Sequence, residues 1–197
     1  IAMIRRLAPG AAMHYNNPVR ARHEIAFAVE NGVVSYSVDS KSELAKLIAL
    51  VPAENTEITV RFKLPVQGAA YNFGAKFGAT VELAAEMLRE VKDAGFVASL
   101  TFHPGTQCTD PMAWDSYIRA AADICRMAGV QARRLNIGGG FPSHRQAGEL
   151  PQLEAIFGLI DRVATEAFGD ARPALVCEPG RGLVAESMCL ATRIKGV

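Results

Sequence analysis

A chain of 197 residues, half of them apolar, has material for a hydrophobic core and is neither a disordered segment nor a small disulfide scaffold. Its 21 Lys and Arg against 20 Asp and Glu leave a formal charge of +1 with no basic tract, which argues against a nucleic-acid partner. No apolar run nears the roughly 20 residues of a membrane span, so no membrane role is expected.

Residues 1–10 carry a basic pair but no apolar signal core, and without an initiator Met the chain reads as starting inside a longer one. Apolar or β-branched runs then alternate with amphipathic ones, the pattern of parallel strands joined by crossover helices. Strand 12–16 precedes a helix near 20–31; strand 34–39 precedes one at 41–50, and strand 57–63 one at 80–93. Strand 96–103 leads to a helix at 111–128, strand 133–137 to one at 151–168, and strand 174–178 comes last. Ser40-Lys41-Ser42-Glu43 fits a capping box, Thr80 a cap, and Gly32 and Gly95 stand where helices stop. The cysteines, at 108, 125, 177 and 189, form no Cys-x-x-Cys pair and read as reduced thiols of a cytoplasmic protein.

Residues with chemical character follow the strands: Asp39, His103, Gly138 to Gly140, and Glu178 to Arg181. Both a (β/α)8 barrel and a doubly wound sheet place ligands at strand C-termini. No Gly-x-Gly-x-x-Gly follows the first strand and the glycines come late, which favours a barrel with a late phosphate site. Six strands do not close eight, so about two βα units are expected to be missing.

Leu135-Asn136-Ile137-Gly138-Gly139-Gly140-Phe141-Pro142 runs a strand into three glycines, whose N–H groups could turn toward an anion; the plainer reading is a tight turn. Val176-Cys177-Glu178-Pro179-Gly180-Arg181 sets a carboxylate three residues before a guanidinium. These are either a local ion pair, or a phosphate clamp at Arg181 with Glu178 facing a cationic nitrogen. Thr101-Phe102-His103-Pro104-Gly105-Thr106-Gln107-Cys108 ends a strand in a histidine, with the Gly105 N–H and the Thr106 hydroxyl available to the same anion. Arg61 in an apolar strand needs a partner, while Lys76 reads as a surface charge. His14, His23 and His144 lack metal-ligand spacing and are assigned nothing; no metal is expected.

Together, Lys76-Phe77-Gly78, Phe102-His103-Pro104-Gly105-Thr106, Gly138-Gly139-Gly140-Phe141-Pro142 and Glu178-Pro179-Gly180-Arg181 resemble the barrel domain of the pyridoxal-phosphate ornithine/diaminopimelate/arginine decarboxylase family, closest to its ornithine branch. Tyr15-Asn16-Asn17-Pro18-Val19-Arg20 resembles the family's Asn-Pro-Cys-Lys strand end, and Glu30-Asn31-Gly32-Val33 with Val38-Asp39-Ser40 its next unit. The resemblance implies strands three to eight of an alanine-racemase-like barrel over residues 1–188. Residues 189–197 would begin the strand into a C-terminal β-domain. It implies pyridoxal 5'-phosphate as cofactor, with His103 stacked on the ring and Glu178 paired with the pyridine nitrogen. Thr106, Gly138, Gly139, Gly140 and Arg181 would hold the phosphate, and Arg61 matches an arginine of the family's site.

The implied reaction is decarboxylation of a basic amino acid, ornithine foremost, with lysine, arginine and diaminopimelate as alternatives. The implied assembly is a homodimer with shared active sites. The family's Tyr-Ala-Val-Lys segment, bearing the lysine that joins the cofactor, has no match here, nor has its Cys-Asp motif. The chain is therefore expected to be a fragment, inactive alone. Rival readings are a catalytically silent pyridoxal-phosphate carrier or regulator, and an unrelated barrel enzyme holding a sugar phosphate.

Overall fold

The computed structural model describes residues 1–65, 76–143, 152–185, 187–194 and 196. His144 and the first residue of the helix expected at 151–168 lie outside them. Six strands form one sheet: β1 (His14–Tyr15), β2 (Ser35–Val38), β3 (Glu57–Arg61), β4 (Val97–Thr101), β5 (Arg134–Asn136) and β6 (Ala174–Val176). Every ladder is parallel and the spatial order is the chain order. A doubly wound sheet reverses its strand order at a switch point; this sheet never reverses, so it is a barrel wall.

The wall curls. Five inter-strand spacings of about 4.8 Å would put the first and last strands of a flat sheet roughly 24 Å apart. Yet Asn16, just past β1, donates from Nδ2 to Glu178 Oε1, just past β6, at 3.0 Å. The strands are shorter than the sequence suggests, but parallel bonds run past their ends, as in Phe102 N–H to Asn136 O at 3.1 Å and Glu178 N–H to Gly138 O at 2.8 Å.

Alternation along each strand sorts the residues. Tyr36, Val38, Ile58, Val60, Leu100 and Leu135 are buried against the surrounding helices. These helices are α2 (Arg22–Glu30), α3 (Lys41–Leu50), α4 (Val81–Asp93), α5 (Met112–Ala128) and α6 (Leu153–Phe168), each packed on the next in chain order. The opposite faces turn His14, Ser35, Glu57, Thr59, Ser99, Arg134 and Asn136 into a polar cavity of about 200 Å³. Its floor is the buried Glu57 carboxylate, which takes a fork from Arg134 and a hydroxyl bond from Ser99. Burial would raise the Glu57 pKa, but these bonds outweigh it and hold the carboxyl below its usual value.

Two helices escaped the periodicity reading: α1 (Ala2–Leu7) and α7 (Gly180–Val184). The first rests on Arg5, whose guanidinium donates to the carbonyls of Asn31, Pro9, Ala11 and Gly32. Gly32 and Gly95 do end their helices, at φ of 68° and 84°. Thr80 and Ser40 do cap theirs, accepting from Leu83 N–H and Glu43 N–H. The other half of the capping box at Ser40 is not made. Glu43 is buried and spends its carboxylate on Arg20 N–H at 3.3 Å, from before α2, and on Lys46 Nζ at 2.6 Å, one turn along its own helix. Residues 188–194 enter no ladder in this structure, and Met188, Leu190 and Ile194 are exposed. No helix among the described residues is long and apolar enough to cross a membrane.

Candidate active site

Each candidate side chain is aimed by the alternation beneath it. Phe102 is buried outward, stacked on Tyr117 at 4.5 Å and edge-on to Phe62 at 5.7 Å. Its successor His103 must therefore face inward, where it lines one cleft with Arg61, Asn16, Ser37, Thr101, Gly138 and Glu178. Phe141 anchors the glycine loop from the other side, buried between Trp114 at 5.2 Å and Phe157 at 4.9 Å.

The three glycines are required by close approach. A Cβ on Gly138 would stand 2.3 Å from Phe102 O, one on Gly139 2.7 Å from Glu178 O, and one on Gly140 2.1 Å from Gly105 O. The glycine loop is thus wedged between the loops that carry His103 and Glu178. The N–H groups are not all turned to an anion, however. Gly138 N–H goes to Asn136 Oδ1 at 2.9 Å, and Gly105 N–H to His103 Nδ1 at 3.0 Å. Those two donors have protein partners in this structure. The N–H groups of Gly139 and Gly140 make no hydrogen bond among the described residues.

Burial, and then the nearby Arg61 guanidinium, lower the His103 pKa to about 4, so its imidazole is neutral at physiological pH. Because Nδ1 accepts from Gly105, the ring proton belongs on Nε2, the edge facing Gly139. Arg61 is itself lowered by burial, offset by the fields of Asp39 and Glu178, and its guanidinium lies 5.0 Å over the Phe77 ring. Asp39 accepts from Gly78 N–H at 3.0 Å, tying the Lys76 to Gly78 segment to the end of β2.

Glu178 is exposed at the end of β6. Its Oε1 accepts from Asn16 Nδ2 at 3.0 Å and Asn136 Nδ2 at 2.5 Å, while Oε2 makes no hydrogen bond among the described residues. Thr106 is half-buried beyond His103 and Arg181 is exposed on the first turn of α7. Neither side chain bonds within the cluster among the described residues. The structure brings together His103, Arg61, the glycines and Glu178, and leaves Thr106 and Arg181 at the margin.

Sequence reasoning missed Asn16 and Asn136, although both follow the rule that strand ends carry the chemistry. It also missed Arg20, which is buried with its guanidinium 4.8 Å from the Tyr15 ring and bonded to the carbonyls of Tyr15, Asn17 and Ser37. That arginine fixes the loop bearing Asn16. Gln107 takes φ 50° and zips two loops together, its amide exchanging bonds with the Ser143 backbone at 2.9 and 3.1 Å.

Residues 3–185 match the family described as pyridoxal-dependent decarboxylase, pyridoxal binding domain. The lysine/ornithine decarboxylase of Selenomonas ruminantium is 30% identical over 191 residues, 95% of this chain and 48% of that protein. The ornithine decarboxylase of Mus musculus is 29% identical over 191 residues, 94% of this chain and 41% of that protein. A solved structure of an SrLDC mutant in complex with PLP superposes with a TM-score of 0.79 at 29% identity, covering 92% of this chain and 47% of that one. The chain thus spans less than half the length of each of these relatives.

Proposed function

The chain belongs to the pyridoxal-dependent decarboxylases through their pyridoxal-binding domain, and from that premise we propose that its strand-end cluster holds pyridoxal 5'-phosphate. The protein carrying it would decarboxylate a basic amino acid, L-ornithine foremost, giving putrescine and carbon dioxide. One observation carries the reading: a neutral imidazole, a clamped carboxylate and two unspent backbone N–H groups converge where three loops meet.

The residues fit the cofactor. Gly139 and Gly140 leave a cradle that any Cβ would fill, and their N–H groups suit a phosphate. Arg181 on α7 would add its fork, and the Thr106 hydroxyl a further donor. Neutral His103 offers a flat face without placing a second positive charge beside a cationic ring. Glu178 Oε2 is left to hold the proton on the ring nitrogen. Arg61, above Phe77 and within the field of Glu178, keeps the cleft electrically balanced. When bound there, the protonated ring withdraws the electrons released as carbon dioxide leaves the substrate.

The relatives named for lysine and ornithine support a basic substrate, and the Lys76-Phe77-Gly78 and Gly-Phe-Pro motifs support ornithine among them. Family resemblance further supports a homodimer with shared sites and a place in polyamine synthesis. The test is carbon dioxide release from carboxyl-labelled ornithine, lysine, arginine and diaminopimelate by the protein loaded with pyridoxal phosphate. Release from ornithine above the others supports the proposal. Reversible cofactor binding without release from any of them favours a silent carrier, and absence of cofactor binding overturns the reading of the site.

A further inference from the structure

A solvent-exposed glutamate ordinarily samples several rotamers, because its three side-chain torsions lose entropy when fixed. Glu178 is exposed, yet one of its oxygens is held by two amides arriving from opposite sides. Asn16 comes from the end of β1 and Asn136 from β5, at 3.0 and 2.5 Å. Resting on the reading of the site given above, we propose that Asn16 and Asn136 are positioning residues: they clamp Glu178 through Oε1 so that Oε2 points to the ring nitrogen.

The choice of asparagine has a physical basis. Both donors are neutral, so they orient the carboxylate without cancelling the charge that must face a cationic ring. A lysine or arginine at either position would pair with Glu178 and compete with that ring. Each amide is itself oriented by what its oxygen accepts. Asn136 Oδ1 takes Gly138 N–H at 2.9 Å, and Asn16 Oδ1 takes the Ser37 hydroxyl at 3.4 Å, so both NH2 groups face Glu178.

Two consequences follow from where these residues sit. Asn136 bonds both Glu178 and the first glycine of the loop, so one side chain joins the carboxylate end of the site to its phosphate end. Asn16 stands on the opposite edge of the sheet from Glu178, so the clamp exists only while the wall is curled. Arg20 secures that edge by tying the Tyr15, Asn17 and Ser37 carbonyls together.

The test uses the cofactor-loaded protein with pyridoxal phosphate labelled with nitrogen-15 in its ring. The nitrogen shift, followed against pH, reports how firmly the ring proton is held. Asn16→Ala removes one donor, and Asn16→Leu removes it at nearly the same size without adding a charge. The clamp predicts that the ring-nitrogen midpoint falls by about one pH unit in both variants. A residue that merely supports the fold would lower the melting temperature and leave the midpoint where it was, which overturns the proposal. Should both variants fail to fold, a structure of the wild-type protein with cofactor decides the matter. Glu178 Oε1 remaining on both asparagines with Oε2 at the ring nitrogen supports the clamp, and Glu178 swung off both refutes it. Failure of the wild-type protein to bind pyridoxal phosphate removes the site reading itself and is distinguishable from every outcome above.

Discussion

Gly139→Ala separates steric necessity from conformational preference. Gly138 and Gly140 adopt φ of 68° and 84°, where any side chain is strained, but Gly139 does not. An alanine there is therefore penalised only by what its Cβ meets: Glu178 O at 2.7 Å and His103 Nε2 at 3.2 Å. The first is backbone, held by Glu178 N–H to Gly138 O, and has little room to retreat. Relief requires the loops of β5 and β6 to part by several tenths of an ångström, an overpacking cost of about 1–3 kcal/mol. Since the same displacement pulls the two unspent N–H groups away from Glu178 and His103, affinity for pyridoxal phosphate should fall about tenfold for each ~1.4 kcal/mol lost in the bound state. Gly158→Ala is the control, because its Cβ meets nothing within 4 Å and it sits within α6. That change should stabilise the protein by about 1 kcal/mol on helix propensity alone. Urea midpoints and cofactor titrations of the two variants give both quantities. If Gly139→Ala matches wild type in stability and in cofactor affinity, the wedge of glycines between the two loops is not as described.

Three other outcomes are expected. With the His103 pKa lowered from 6.5 to about 4, the unfolded chain takes up a proton before the native one does. Stability present above pH 6.5 should therefore decline as pH falls through 4, by at most about 3 kcal/mol and less for partial exposure, and His103→Gln should lack this component. An imidazole titrating near 6.5 by NMR would refute it. Glu57→Gln leaves the Arg134 guanidinium facing a neutral amide in the barrel floor and should cost about 3 kcal/mol in denaturant unfolding. Ser40→Ala, removing the acceptor for Glu43 N–H, should cost about 1 kcal/mol, while Ser40→Asp should recover most of it.

The βα order was legible because each strand alternates, as in Glu57-Ile58-Thr59-Val60-Arg61, and each helix repeats on its own period. Closure was not, since nothing local to Asn16 and Glu178 announces that residues 162 positions apart share a hydrogen bond. The consecutive strand order settled what periodicity left open between barrel and doubly wound sheet. Helix α1 was invisible because its support is Arg5 reaching the end of α2, a tertiary contact with no trace in six residues. The glycine triplet was legible as a site but not in its division of labour. That Gly138 N–H is spent on Asn136 while Gly139 and Gly140 keep theirs depends on a side chain that reads in sequence as one more strand residue. The second half of the capping box failed for a related reason, because Arg20 reaches Glu43 from outside α3 while Lys46, one turn along the same helix, takes its other oxygen.

The most direct measurement is a crystal structure of the protein carrying this chain, grown with pyridoxal phosphate. The phosphate should lie about 3 Å from the N–H groups of Gly139 and Gly140, with His103 against the ring face and Glu178 at the ring nitrogen. A phosphate bound elsewhere, or a ring whose nitrogen faces away from Glu178, would contradict the assignment of this cluster as the cofactor site.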